Sequence, residues 1–302
     1  SLQSAETVYQ NIDKEKYYPI KVRIDEEGWF AYHDGKKMEI NRNDFSFGII
    51  KFDFAFIVIH GTPGEDGKLQ SYFDMVNIPY STCSQLVATL TFNKFVCNQY
   101  LKNFGIKVAE AVLIRKNETI NSAAIISKVG LPCFVKPADG GSSFGVTKVK
   151  VEGELEAAIN LALSHGTQAI IENYLKGREV TNGIYSSKNG IHVLPITEII
   201  SENDFFDFDA KYNGESKEIT PADLPDDIAS KVKSCTKKIV EILDLKGIAR
   251  ADYILQDKEP YFIEINTVPG LSSASLIPQM AAYDGISLKQ LFNDVIEVAL
   301  IS

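Results

Sequence analysis

Four polar residues near the end of the chain have a spacing that could do chemistry. In IARADYIL, Arg250 and Asp252 are two apart, and in FIEIN so are Glu264 and Asn266. On a strand each pair projects from one face. A row of Arg, Asp, Glu and Asn between apolar Ile and Tyr positions is unusual for a sheet interior. Asp252, Glu264 and Asn266 offer hard oxygen ligands, the set magnesium takes when it keeps water and substrate phosphates in its octahedron; alternatively they are solvated residues on an open sheet face. A second stretch, FVKPADGGSSFGVTKV at 134–149, sets Lys136 ahead of Gly140, Gly141, Ser142 and Ser143. A P-loop places its lysine after the glycines, at a helix start, whereas these glycines lead into a strand. The stretch is either a hairpin whose backbone N–H groups close over a phosphate, with Lys136 reaching in as a point charge, or an ordinary glycine-rich hairpin. Together the two stretches imply magnesium and a nucleoside triphosphate between two sheets.

Those residues need strands to position them, and the surrounding pattern supplies strands. PCFVK and GVTKVKV flank the glycine stretch, and GIARADYILQ and PYFIEIN carry the four polar residues. TQAIIENYL, REVTNGIYS and IHVLPITEII, over 167–200, predict further strands in an antiparallel sheet. Residues 1–85 mix a helical SAETVYQNI with strand-like YYPIKVRI, GWFAYH and a buried apolar strand in FAFIVIHG. Helices are predicted for NKFVCNQYLKNFG, stopped by Gly105, for TINSAAIISKVG, ended by Gly130, for 151–164, for 225–243, and for two final segments; AEAVLI reads as a strand. Residues 201–224 read as a long ordered loop, a length often tied to function.

Bulk properties exclude several classes. The chain has 302 residues, 45% of them hydrophobic, and a net charge of −9 with no long basic run, which argues against nucleic acid as a main partner. Cys83, Cys97, Cys133 and Cys235 lie far apart with no C-x-x-C pair, so neither a zinc site nor a disulfide framework is suggested and a reducing cytoplasm fits. No apolar run approaches a membrane span and SLQSAETVYQ has no signal-peptide pattern. The chain starts at Ser1 rather than methionine, and we expect N-terminal sequence ahead of it.

Five motifs in order carry a resemblance: HGTPGEDG at 60–67, VKPADGGSSFGV at 135–146, IENYLKGRE at 171–179, FDAKY at 208–212, and ARADYIL with IEINTVPGLSSASLIP at 249–278. In combination they resemble the ATP-grasp superfamily and, within it, the D-alanine–D-alanine ligase family. The resemblance implies an α/β (α+β) architecture with an N-terminal Rossmann-like domain at 1–88, lacking its first strand, a central ATP-grasp subdomain at 89–180 and a C-terminal one at 181–302. It implies ATP and two magnesium ions, with manganese as a substitute, two D-alanine molecules as substrates, and a homodimer.

The same resemblance distributes roles. Lys94 and Lys136 contact the ATP phosphates, with Ser142 and Ser143 in the loop above them, and Lys211 lies near the γ-phosphate. Glu172, Tyr174 and Leu175 form the hinge that reads adenine, with Phe134, Ile254 and Ile263 around the ring, and Glu179 accepts from the ribose hydroxyls. Asp252, Glu264 and Asn266 are the metal ligands. His60, in a loop with Glu65 and Asp66, and the helix start at Ser275 and Leu276 bind the two alanines. Arg250 and the Gly270 N–H hold the acyl phosphate and the developing oxyanion. Taken alone, Lys94 reads as a solvated lysine, Phe134, Ile254 and Ile263 as core and His60 as a surface histidine; His33, His165 and His192 are set aside as bystanders.

Members of the family carry a first strand, a glycine turn and a glutamate ahead of the stretch that matches SLQSA, and none of these is in this sequence. That glutamate joins Ser142 and Tyr212 at the substrate subsites. The implied reaction makes D-alanyl-D-alanine for peptidoglycan through an acyl phosphate, and closure of the Gly140 loop and of 201–224 would exclude water. Three alternatives stand beside it: a ligase making D-alanyl-D-lactate, which residue 212 discriminates because tyrosine there goes with the dipeptide and phenylalanine with the depsipeptide; another ATP-grasp carboxylate-amine ligase, against which HGTPGEDG and the SSASL helix start speak because they are not generic ATP-grasp features; and an ATP-binding regulatory module without turnover.

Overall fold

A computed structural model describes residues 1–140, 145–201 and 216–301. Two antiparallel sheets dominate it. The first has the order β6-β9-β7-β8, built from β6 (Ala111–Arg115), β7 (Cys133–Pro137), β8 (Thr147–Val149) and β9 (Gln168–Asn173). The second has the order β12-β11-β10-β13-β14, from β10 (Arg178–Ser187), β11 (Gly190–Ser201), β12 (Ser216–Ile219), β13 (Ile248–Gln256) and β14 (Glu259–Asn266). Helices cover the outer faces. In the first sheet, α5 (Ser122–Val129) and α6 (Leu155–His165) bury Ile125, Leu155 and Ile159 against Val135 and Ile171. In the second, α7 (Asp226–Leu243) packs Val232, Ile239 and Val240 against Tyr253 and Phe262. Burying Phe262 completely contributes about 2 kcal/mol.

The N-terminal part starts with α1 (Leu2–Asn11), then the antiparallel meander β1 (Lys21–Asp25), β2 (Gly28–His33) and β3 (Lys36–Glu39), and the short pair β4 (Ser46–Phe47) and β5 (Ile50–Lys51). Then come α2 (Lys68–Val76), α3 (Gln85–Phe92) and α4 (Lys94–Lys102). The last two helices, α8 (Leu276–Tyr283) and α9 (Leu288–Ala299), lie against β10 and β11. Among the described residues no helix is long and apolar enough to cross a membrane.

Three expectations change. FAFIVIHG is not a ladder strand: its one parallel rung is Ala55 with Tyr80, while side chains take other backbone donors, Ile57 N–H donating to Ser81 Oγ at 2.9 Å and His60 N–H to Ser1 Oγ at 3.1 Å. TQAIIENYL pairs with β6 and β7 rather than with the strands that follow it, because the turn at Gly177 carries the chain from one sheet to the other. Part of 201–224 is strand, as β12 pairs Ser216–Ile219 with β11; residues 202–215 lie outside the described ones.

Candidate active site

The facing sides of the two sheets line a cleft of about 690 Å³, within the range that buries a nucleotide-sized ligand. Strict alternation on β13 sends Ala249, Ala251, Tyr253 and Leu255 into the core and Arg250, Asp252 and Ile254 to the cleft. Across the ladder Asn266 pairs with Arg250 and Glu264 with Asp252. The register then shifts, Phe262 pairing with Tyr253, so the neighbours Ile263 and Glu264 both reach the cleft.

Asp252 is saturated with donors. Arg250 forks onto it, Nε to Oδ1 and an Nη to Oδ2, both at 2.9 Å; Thr181 Oγ1 donates to Oδ1 at 2.6 Å and Asn266 Nδ2 to Oδ2 at 3.1 Å. Burial alone would lower the Arg250 guanidinium, but Asp252 and Glu264 outweigh it and hold it above its ordinary value. Glu264 meets Lys94 Nζ at 3.1 Å. Lys94 opens α4, whose N-cap Asn93 accepts from Val96 N–H, and its ammonium also donates to Gly140 O at 2.7 Å. One lysine thus ties the helix start, the glycine stretch and Glu264 together.

Lys136, on β7, pairs with Glu172, on β9, at 2.6 Å. Burial works against its charge, but Glu172 and Glu264 more than compensate and raise its pKa. The Glu172 side chain therefore faces Lys136 and Asn98, whose Nδ2 lies 3.4 Å away. The apolar end of the cleft is formed by Phe134, Tyr174, Leu175, Ile254 and Ile263, with the Phe134 and Tyr174 ring centroids 5.9 Å apart and Lys148 Nζ 4.4 Å from the centre of the Tyr174 ring. Tyr174 N–H donates to Pro132 O at 3.3 Å. Glu179 lines the same cavity.

The substrate candidates sit beside it. Leu276, the first residue of α8, lines the cleft, and Ser275 is that helix's N-cap, its hydroxyl 2.7 Å from Ser272 Oγ. Gly270 approaches so closely that a Cβ there would lie 2.7 Å from Ser275 Oγ. His60 is outside the lining; its Nδ1 is 2.7 Å from Val268 O, while Val268 N–H donates to Glu65 Oε1 at 3.3 Å. The 60–67 loop thereby grips the Val268 peptide from both ends, two residues before Gly270. Desolvation, helped by the Arg250 charge, keeps the His60 imidazole below its ordinary pKa, and desolvation pushes the Glu65 carboxyl up. Asp66 is local to its loop, accepting from Thr62 Oγ1 at 2.7 Å. Ser142, Ser143, Lys211 and Tyr212 lie outside the described residues.

The structure adds residues that the pattern did not mark. His165, set aside as a bystander, lines the cleft. Arg178 makes a fork with Glu198, both contacts at 2.6 Å, on the cleft wall. Thr181 and Asn98 are 2% and 1% exposed, and nothing in the sequence separates them from ordinary strand and helix residues. Among the described residues no three of His, Cys, Asp and Glu gather as a metal cluster; beside Asp252 and Glu264 stands the Asn266 amide, its Nδ2 turned to Asp252 Oδ2.

The family model for the D-ala D-ala ligase N-terminus matches residues 1–83, and that for the D-ala D-ala ligase C-terminus matches residues 100–297. A D-alanine–D-alanine ligase of Phocaeicola vulgatus is 50% identical over 98% of this chain and 94% of its own length. Among solved structures, the VanG D-Ala:D-Ser ligase of Enterococcus faecalis superposes with a TM-score of 0.88 at 31% identity, covering 99% of this chain and 94% of that one. The D-alanine–D-alanine ligase of Bacillus anthracis complexed with ATP has a TM-score of 0.80 at 28% identity, covering 99% and 93%. The architecture is the ATP-grasp fold, and the chain belongs to the D-alanine–D-alanine ligase family.

Proposed function

We propose that this protein joins two D-alanines into D-alanyl-D-alanine with ATP, supplying a peptidoglycan precursor. The observation that carries the reading is the row of Arg250 with Asp252 facing Asn266 with Glu264, set in a cleft that also holds Lys94 and Lys136. Acidic residues directly opposed in a ladder repel, and here each carboxylate has its own cation, Arg250 or Lys94. Two carboxylates and an amide, close to lysines that suit a polyphosphate, fit magnesium. Asp252, Glu264 and, after a half-turn of its amide, Asn266 would hold it. Bound there, the metal would supply neutralisation of the phosphate charge.

Adenine fits the apolar end between Phe134, Tyr174, Leu175, Ile254 and Ile263, with Glu179 placed for the ribose hydroxyls. Lys94 and Lys136 exchange carboxylate partners for phosphate oxygens, keeping their charge compensated. The carboxylate of the first D-alanine attacks the γ-phosphorus and ADP leaves, giving an acyl phosphate. The free amine of the second D-alanine then attacks the acyl carbon; the tetrahedral intermediate expels phosphate and the nitrogen gives up a proton. Arg250 and the Gly270 N–H stabilise the charge on that carbon's oxygen. His60 lies toward the first alanine, and the N-terminus of α8 at Ser275 and Leu276 receives the second alanine's carboxylate. The test is phosphate release from ATP with and without D-alanine, with product identified by mass. D-alanine-dependent release with dipeptide formed is expected; ATP bound without turnover would favour the regulatory module instead.

A further inference from the structure

Thr181 is not among the residues that the reaction itself requires, yet it is placed on one of them. It sits on β10 directly opposite Asp252 of β13, which in turn sits opposite Glu264 of β14, so the three residues form one row across three strands. Its side chain is 2% exposed although it borders the cleft. The hydroxyl has one proton and two acceptors within reach, Asp252 Oδ1 at 2.6 Å and Ala251 O at 3.3 Å, and the shorter, charge-assisted contact takes it. Asp252's other partners have further roles in the reading above: Arg250 is assigned to the acyl phosphate, and the Asn266 amide is itself a candidate ligand. A β-branched residue packed within the sheet, with few rotamers open to it, is the fixed one.

We propose that Thr181 is a positioning residue that holds Asp252 Oδ1, so that Oδ2 stays aimed into the cleft when Arg250 and Asn266 let go of it in favour of a divalent cation. This rests on the reading of Asp252 as a metal ligand given above. A hydrogen-bonding group behind a ligating carboxylate fixes its orientation, and removing such a partner weakens metal binding about 10- to 100-fold.

The experiment measures binding without turnover. Manganese is titrated into enzyme with saturating ADP, and free ion is read by electron paramagnetic resonance, for wild type, Thr181→Val, Thr181→Ser and Asp252→Asn. ADP affinity without metal is measured in parallel, and thermal denaturation confirms that each variant is folded. We expect Thr181→Val, which keeps shape and loses the hydroxyl, to bind manganese at least about 10-fold more weakly with its metal-free ADP affinity unchanged, and Thr181→Ser to recover most of the loss. Wild-type manganese affinity in Thr181→Val, with the affinity lost in Asp252→Asn, would overturn the role of Thr181 and leave the metal site standing. Unchanged affinity in Asp252→Asn would overturn the metal assignment and the proposal with it. Weak binding in Thr181→Ser as well as Thr181→Val would show that packing, not the hydroxyl, matters.

Discussion

Asp252 and Glu264 stand directly opposite each other on β13 and β14, one forked by Arg250 and the other paired with Lys94 Nζ at 3.1 Å. Two opposed carboxylates are a poor choice for stability, which supports the reading of the pair as cation ligands. Glu264→Gln keeps volume and shape but removes one of those charges. Ligation is expected to fall more than about 100-fold, because a direct ligand matters more than the supporting groups behind it, while the thermal midpoint stays near that of wild type. Near-normal turnover at saturating magnesium would remove Glu264 from the metal site.

His60 gives a pH prediction. Desolvation holds its folded pKa below the ordinary 6.5. As pH falls through 6.5 the unfolded chain takes up the proton first, so His60 contributes stability above that pH and loses it below. The advantage of wild type over His60→Gln in thermal midpoint should therefore shrink between pH 7.5 and about 5.5. An advantage that stays constant or grows as the solution is acidified would show that the ring is not held neutral.

What could be read from the chain beforehand follows from how local each signal is. Arg250, Asp252, Glu264 and Asn266 were legible because period two is a property of the strand itself, and Gly105 and Gly130 mark helix ends with positive φ, 79° and 71°. Ile263 beside Glu264 in the same cleft depends on a register shift, which no single-strand pattern records. Thr181 meets Asp252 across 71 positions of sequence, and threonine is an unremarkable strand residue wherever it points. FAFIVIHG has the composition of a buried strand, but composition does not say whether a partner strand or a serine side chain satisfies the backbone; here Ser81 and Ser1 do so.

Acceptor choice is tied to Tyr212 by motif alone, since that residue lies outside the described ones. Removing a hydroxyl from a buried polar network costs about 1–3 kcal/mol, enough to move selectivity by about one to two orders of magnitude. D-alanine must lose a proton before it attacks, whereas D-lactate offers a neutral hydroxyl. Tyr212→Phe is expected to gain depsipeptide synthesis, most visibly below neutral pH. Competition between the two acceptors, with products separated across pH, checks this; a product ratio that does not move rejects the assignment.

Lys136 and Glu172 allow stability and binding to be separated. Their side chains are 12% and 7% exposed and meet at 2.6 Å, so removing Lys136 leaves Glu172 buried without its cation, at a cost of about 3–5 kcal/mol, whereas removing Glu172 leaves Lys136 still compensated by Glu264. Lys136→Met should destabilise the ligand-free protein by an amount in that range, and Glu172→Gln by less. The double variant should lose less than the sum of the two, with a coupling of about 1–3 kcal/mol. Nucleotide affinity should behave differently. Lys136 is assigned to a phosphate, so ATP binding should be weakened in Lys136→Met and remain weak in the double variant even as stability returns, while D-alanine binding changes less. Chemical denaturation of the four proteins gives the coupling, and calorimetric titration gives the affinities. An additive cycle would show that the pair is not coupled in the folded protein, and ATP affinity that recovers together with stability would show that Lys136 acts on the nucleotide only by keeping the cleft folded.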